Sequence, residues 1–455
     1  MYIMNTQKLL SVFIFLVMVM VSCSKEPQPQ TAIIKGTITV ADSVDSSGNY
    51  SGIALVIPSQ DSVGAAFDTL YWAETDSAGA FQGTATFSSL GVYSMVVSRD
   101  GEAVGLFRFI LADKDTVTIQ AELPDLQAST EIDSRENRAL TLFNRINKNY
   151  QKIVVYISRG AVPDSLISDE LYKWSNLFWD IHKEKEGTYA AHLAVRQALS
   201  ILRGVDNELM MKRIDEALPD EYVIGLASDY GADYLLESKG LERTVHYLDS
   251  LKKLSDEDLI DEALDRQIIK LYIDSAQVDI ARKKLSKFES KYKKDERALA
   301  WANDVRYDLN YLAPGIEMPP FSFVKLNGDS VSNSSLKGRA YLMEITPLTD
   351  PLYQSQYDRS IVIYQLYNRD KEIEFFTIPL DTSPVTVNAF YEERPKNWPV
   401  AQPGSFDSEQ LLKSLNVNRF PTRILVDKNG KIIRKYVAEE YEDIIQGLNE
   451  IIKQN

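Results

Sequence analysis

Cys23 is the one side chain in this 455-residue sequence that can ionise to a thiolate, because the composition contains a single cysteine. The thiolate is the species that attacks disulfides and peroxides, and an internal disulfide takes two cysteines. No pair exists here for structure or for redox chemistry. The three histidines, His182, His192 and His246, have spacings that match no recognised metal-ligand pattern. They read as surface or half-buried side chains, and no metal or cofactor is expected. Acids outnumber bases by 65 to 50, and the net charge of -15 is spread along the chain. Such a surface solubilises and repels phosphates, which excludes nucleic acid as a partner.

The N-terminus carries Lys8, an apolar run from Leu9 to Val21 broken only by Ser11, and then Ser22 and Cys23. The run is shorter than the roughly 20 residues of a spanning helix and has the pattern of a signal peptide over residues 1–22. Met20-Val21-Ser22-Cys23 resembles the lipobox of bacterial lipoproteins. The resemblance implies that Cys23 is alkylated with diacylglycerol, becomes the first residue of the mature chain and is acylated by a palmitate-type chain on its new amino group. Membrane lipid is then a partner through Cys23. Three acyl chains, at about 0.8 kcal/mol per buried methylene, hold far more firmly than one. Residues 23–31, polar and with two prolines, suit a short tether. A Cys23 thioether leaves the mature chain without a thiolate. No aspartate follows Cys23, which by the same resemblance favours a cell-envelope protein on the outer membrane facing the periplasm, with surface display left open. A plain signal peptide with an incidental cysteine is the alternative.

Three regions follow. Residues 32–124 show short alternating or β-branched runs broken by Gly, Asp and Ser, for example Ile33 to Val40, Ile53 to Ile57, Tyr93 to Ser98, Leu106 to Leu111 and Thr116 to Ala121. Asp76 to Phe81 is a turn entering a strand, with Gly79 available for positive φ. With the stretch Phe109 to Ile119, this all-β region resembles the small sandwich domain of unknown function that precedes thioredoxin-like domains in envelope lipoproteins. Residues 133–312 are read as an all-α region. Leu140, Phe143 and Ile146 share one helical face, and Leu171, Trp174, Leu177, Phe178 and Ile181 share another, while Ser168 and Ser255 serve as N-caps.

Residues 313–455 alternate extended and helical segments, as an α/β domain requires. Strands are expected at Phe321 to Lys325, Ala340 to Ile345, Ile373 to Asp381, Arg423 to Val426 and Ile432 to Val437. Helices are expected around Tyr357 to Asn368, Ser408 to Leu415 and Glu440 to Lys453, with a hairpin at Asp427 to Lys431. Val417 to Thr422, the strand after it and Asp427 to Lys431 are similar to the cis-proline loop and hairpin of the TlpA-like and peroxiredoxin-like thioredoxins. The resemblance implies a cis Pro421 and a peptide-docking surface at Phe420, Pro421 and Thr422. It also puts the two-cysteine motif at Asp350, Pro351, Leu352 and Tyr353, where no sulfur stands. Glu344 takes the place of the buried acid that assists proton transfer and is expected to be a hydrogen-bonded or partly exposed carboxylate.

The expected chain is therefore an N-terminal all-β sandwich, a central all-α region and a C-terminal thioredoxin-like domain without catalytic residues of the redox kind. A non-catalytic binding or scaffolding lipoprotein with a protein or peptide ligand is the leading reading. An accessory of a thiol-disulfide oxidoreductase pathway and a ligand site in the helical region are the alternatives. A hydrolase built on Asp350 and Glu344 lacks any identifiable base, metal or oxyanion group.

Overall fold

The computed structural model describes residues 29–59, 69–255, 257–368, 373–392 and 394–454. The residues read above as a signal peptide, Cys23 and all but the last residues of the expected tether lie outside the described residues. The chain falls into two compact units that part between Gly231 and Ala232. The stretch 133–312, read from sequence as one helical region, is thus shared between them.

The first unit begins with β1 (Gln30–Val40), β2 (Ala54–Pro58), β3 (Thr69–Glu74), β4 (Ala80–Phe87), β5 (Gly91–Arg99), β6 (Glu102–Leu111), β7 (Thr116–Leu123), a single helical turn α1 (Leu126–Ser129) and β8 (Glu131–Asp133). They form two four-stranded sheets, β4-β1-β7-β8 and β3-β2-β5-β6. Alternation sends Ile34, Ile38, Leu55, Met95, Val97, Phe109, Val117 and Ile119 into one shared core. Strand β4 follows the expected turn at Asp76 to Phe81, whereas β3 was not among the runs singled out. Both pair by backbone register.

Helices α2 (Arg135–Ser158), α3 (Asp164–Glu184), α4 (Tyr189–Leu202), α5 (Asn207–Ala217) and α6 (Glu221–Leu226) complete this unit, the last running into a π turn at Ala227–Gly231. Ser134, Thr188, Asp206 and Asp220 accept hydrogen bonds from the first-turn amides and so start α2, α4, α5 and α6. Ser168 is not an N-cap. It lies inside α3, which opens at Pro163 and Asp164. His182 is half-buried, and desolvation lowers its pKa. His192 stacks on Tyr222 at 4.6 Å and stands 3.7 Å from Asp220.

The second unit opens with α7 (Ala232–Lys239), α8 (Leu241–Leu251), α9 (Asp258–Asp274), α10 (Val278–Lys291) and α11 (Glu296–Tyr311). Ser255 likewise misses the cap position. Its hydroxyl accepts from the Glu257 amide at 3.0 Å, one turn ahead of α9. After the short pair β9 (Ser322–Val324) and β10 (Ser330–Ser332) come β11 (Ala340–Thr346), α12 (Pro351–Tyr367), β12 (Ile373–Pro379), α13 (Pro384–Glu392), α14 (Ser408–Ser414), β13 (Thr422–Val426), β14 (Ile432–Val437) and α15 (Ile444–Gln454). The sheet order is β12-β11-β13-β14, with β12 parallel to β11 and the other neighbours antiparallel.

Every residue of β11 and β13 is buried, so alternation fills both faces of the sheet. Tyr341, Met343, Ile345, Ile424 and Val426 face one core. Leu342, Leu425 and Tyr436 face the other, under α12 and α15. Gly447 permits that packing, since a Cβ there would meet the Tyr436 hydroxyl at 2.1 Å. The expected hairpin closes through Asp427, whose Oδ1 accepts from the Asn429 and Lys431 amides, with Gly430 at φ 79. The last helix starts later than expected, at Ile444, because a 3-10 turn occupies Ala438–Asp443.

Candidate functional site

In antiparallel pairing of β11 with β13, Ile345 lies opposite Thr422. The segment after β11, Pro347 to Asp350, and the loop before β13, Arg419 to Pro421, therefore leave the sheet at the same end. The expected motif positions and the expected docking residues are brought to one place by this register.

Asp350 closes the start of α12. Its Oδ1 accepts the Tyr353 amide at 2.8 Å and Pro351 occupies the first helical position, where its missing N–H costs nothing. The helix consequently begins six residues ahead of its expected start at Tyr357. The positive end of the helix dipole, which would lower the pKa of a thiol there, is neutralised by this carboxylate. The preceding turn is tied at each step. The Leu348 amide donates to Asp381 at 2.7 Å, the Gln354 amide group donates to the Leu348 carbonyl at 2.9 Å, and the Asp350 amide donates to the Pro347 carbonyl at 3.1 Å. Pro351 is exposed and Leu352 half-buried.

Tyr353, which the resemblance puts at the second cysteine position, is fully buried. Its ring packs on Tyr357 and Phe390, each at 5.8 Å. Burial pushes its phenol well above the ordinary range, with the Glu344 charge adding to the effect. It is a core side chain rather than a surface nucleophile.

Glu344 stands where the resemblance puts a buried acid. It is buried and ion-paired, with Oε2 accepting from Arg423 Nε at 2.7 Å and Oε1 accepting from the Thr377 hydroxyl at 2.9 Å. The indole of Trp398 donates in turn to Thr377 at 2.8 Å. Arg423, 1% exposed, lies opposite Glu344 in the strand register and sits 4.6 Å from the Tyr441 ring centroid. A cavity of about 20 Å³ adjoins the pair, large enough for one water and too small for a substrate. Its wall includes Arg423, whose Nη2 has no hydrogen-bond partner among the described residues. Arg423 was missed in the sequence. The available signal was a lone cation within the otherwise apolar run Ile424-Leu425-Val426, since a buried charge demands a partner.

The Phe420–Pro421 peptide bond is cis. Pro421 and Thr422 are buried, and the Pro421 carbonyl accepts from the Ala438 amide at 2.8 Å. Phe420 is half-buried, and among the described residues its own amide and carbonyl have no hydrogen-bond partner. The segment leading to it is gripped by α11. Asn416 Nδ2 donates to Asp308 at 2.8 Å and to the Asp304 carbonyl at 3.1 Å, Asn418 donates to Asp304 at 2.9 Å, and the Tyr307 hydroxyl donates to the Ser414 carbonyl at 3.2 Å. Lys435 of β14 bridges Asp308 and the Asn416 carbonyl. Burial raises the pKa of Asp308 against the pull of Lys435, and raises that of Asp274, paired with Arg434 at 2.9 Å, to about 6. Among the described residues no three His, Cys, Asp or Glu side chains gather as metal ligands.

A 133-residue stretch is 23% identical to the thiol-disulfide oxidoreductase ResA of a Bacillus cereus strain, covering 29% of this chain and 75% of that protein. The ResA of Bacillus anthracis is 22% identical over 133 residues with the same coverage. Thioredoxin-like kinship covers about three-tenths of the chain. Solved structures similar to it include the thioredoxin domain of a thiol-disulfide oxidoreductase from Bacteroides vulgatus, at 23% identity and a TM-score of 0.28, covering 31% of this chain and 99% of that one. The exposed lipoprotein thioredoxin Etrx1 of Streptococcus pneumoniae is 21% identical at a TM-score of 0.25, covering 29% and 98%. No protein-family model matches the chain. Against the enzymes so named, this chain places Asp350 and Tyr353 where the resemblance calls for cysteines, and residues 24–455 contain no cysteine at all.

Proposed function

We propose that this protein is an envelope lipoprotein, anchored through Cys23, whose thioredoxin-like domain binds an extended polypeptide and performs no thiol chemistry. One observation carries the reading. The Phe420 backbone keeps a free donor and a free acceptor at the sheet end, while the neighbouring helix start holds a carboxylate and a buried tyrosine in place of sulfur. Unpaired backbone groups beside a sheet are what an extended chain satisfies.

The direct test is photo-crosslinking in cells, with a benzophenone amino acid replacing Phe420 and, as control, the exposed Glu409. Adducts with an envelope polypeptide at position 420 alone are expected, and equal labelling at both positions would remove the proposal. Membrane sedimentation and palmitate labelling are expected to vanish in Cys23→Ala. In an insulin-reduction assay the full chain should stay at background. The kinship with ResA favours a second reading, an accessory of a thiol-disulfide pathway. An unchanged thiol status of envelope proteins in a deletion strain would discard it.

A further inference from the structure

Strand β6 ends one of the two sheets in the first unit, with β5 on one side of it and, among the described residues, no strand on the other. In the antiparallel β5–β6 ladder, Val92 lies opposite Ile110, Ser94 opposite Arg108 and Val96 opposite Leu106. Ile110 turns its backbone away from β5, because its amide donates to Asn137 Oδ1 at 2.9 Å and its carbonyl accepts from Asn137 Nδ2 at 3.1 Å. The period of two then turns the amides and carbonyls of Arg108 and Leu106 the same way. Neither has a partner among the described residues. The amide group of Asn137 thus does for one residue what the peptide group of a further strand would do for the rest.

The surroundings suit such a strand. Leu106 and Val104 are 50% and 42% exposed, and a groove of about 570 Å³ runs beside them, walled by Val96, Pro124 and Leu126. On the outward face Trp72, Val56, Val96 and Leu106 form one cross-strand row, with Trp72 58% exposed. Unpaired edges of this kind invite added strands, and natural proteins usually block them with charge, proline or a covering element.

We propose that the free edge of β6 is a second recognition site, taking up an extended polypeptide segment as an added strand paired with Leu106 and Arg108, its apolar side chain seated in the groove. A second copy of this chain is a poorer occupant. Asn137 stops the free edge at Ile110, so a two-fold β6–β6 contact would bury far less than the roughly 1,200 Å² of a stable interface. The short edge suits a transient peptide contact instead.

The probe is a fluorescein-labelled octapeptide of alternating valine and threonine with lysines at its ends, titrated into the full chain by anisotropy. Saturable binding is expected, with slowed hydrogen exchange at the Leu106 and Arg108 amides. Leu106→Pro removes an edge donor that no ladder bond uses, and at least a tenfold loss of affinity is expected. The same peptide N-methylated on alternate residues tests the point without altering the protein, and it too should bind at least tenfold more weakly. No binding at 1 mM, equal binding of the N-methylated peptide, or concentration-dependent dimerisation abolished by Leu106→Pro would each overturn the proposal. Slowed exchange at Leu106 and Arg108 is the signature of this site, and slowed exchange at the Phe420 amide alone would assign the binding to the thioredoxin-like domain and overturn the proposal.

Discussion

Two parts of one sheet end in the thioredoxin-like domain have been finished differently. At the start of α12 the Asp350 cap and the tied Pro347 to Asp350 turn are held by internal hydrogen bonds, with the Glu344–Arg423 pair buried beneath. At the loop before β13, the Phe420 backbone is left unpaired while the residues on either side of it are held. Chemistry needs a reactive group with room to change its protonation, and binding needs only fixed, unsatisfied groups. The first part has lost the former and the second retains the latter. Under the proposed function, that contrast is what would separate a thioredoxin-like scaffold used for recognition from one used for redox turnover.

The contrast is broken most directly at Glu344. If the buried pair is structural, Glu344→Leu strands the Arg423 guanidinium and should cost about 3–5 kcal/mol, read by urea unfolding. The double variant Glu344→Leu/Arg423→Met should recover most of the loss, because an apolar pair of similar volume avoids desolvating two charges. Unchanged stability in the single variant would mean that Glu344 is free to move a proton.

The supports behind the loop give the next effect. Asp274 has its folded pKa raised from 3.8 to about 6 by burial. An acid with a raised folded pKa binds its proton more tightly in the folded state. Its contribution is therefore full below about pH 4 and is lost as pH rises through about 6. The decline should not exceed about 3 kcal/mol, and Asp274→Asn should flatten it. Denaturant midpoints measured from pH 4 to pH 8 check both. A smaller effect, about 1–2 kcal/mol, is expected for Asn416→Ala, which removes two bonds to α11. Faster hydrogen exchange at Phe420 in that variant would show that the grip holds the docking loop in place.

Much of this was legible in the residues. Period-two runs marked most strands, and Phe420-Pro421-Thr422 with Asp427 to Lys431 marked the loop and hairpin. What escaped depended on pairing rather than on local pattern. Strand β3 is recognisable only once β2 lies beside it, and Arg423 acquires meaning only when the register sets it against Glu344. Ser168 and Ser255 failed as caps because the helix starts were decided elsewhere, by Pro163-Asp164 and by Glu257. The Asp350-Pro351 start of α12 is present in the sequence as an N-cap followed by proline.

The smallest expected effect sharpens the contrast furthest. Asp350→Cys, in a Cys23→Ser background, places one thiol at the start of α12 and removes the capping carboxylate, for a loss of about 1 kcal/mol. The helix dipole and the freed first-turn amides then act on sulfur, so the thiol pKa should fall below its usual value of about 8.5, measured by thiolate absorbance against pH. Disulfide reduction should still remain at background in the insulin assay, because buried Tyr353 cannot resolve a mixed disulfide. A depressed pKa without turnover would mean that the fold still activates a nucleophile at this end, and that the chain gave up the chemistry by replacing two side chains and sealing the space around them. A thiol pKa at or above about 8.5 would mean instead that the helix start itself has been remodelled, and that only the loop before β13 retains the family's use of this sheet end.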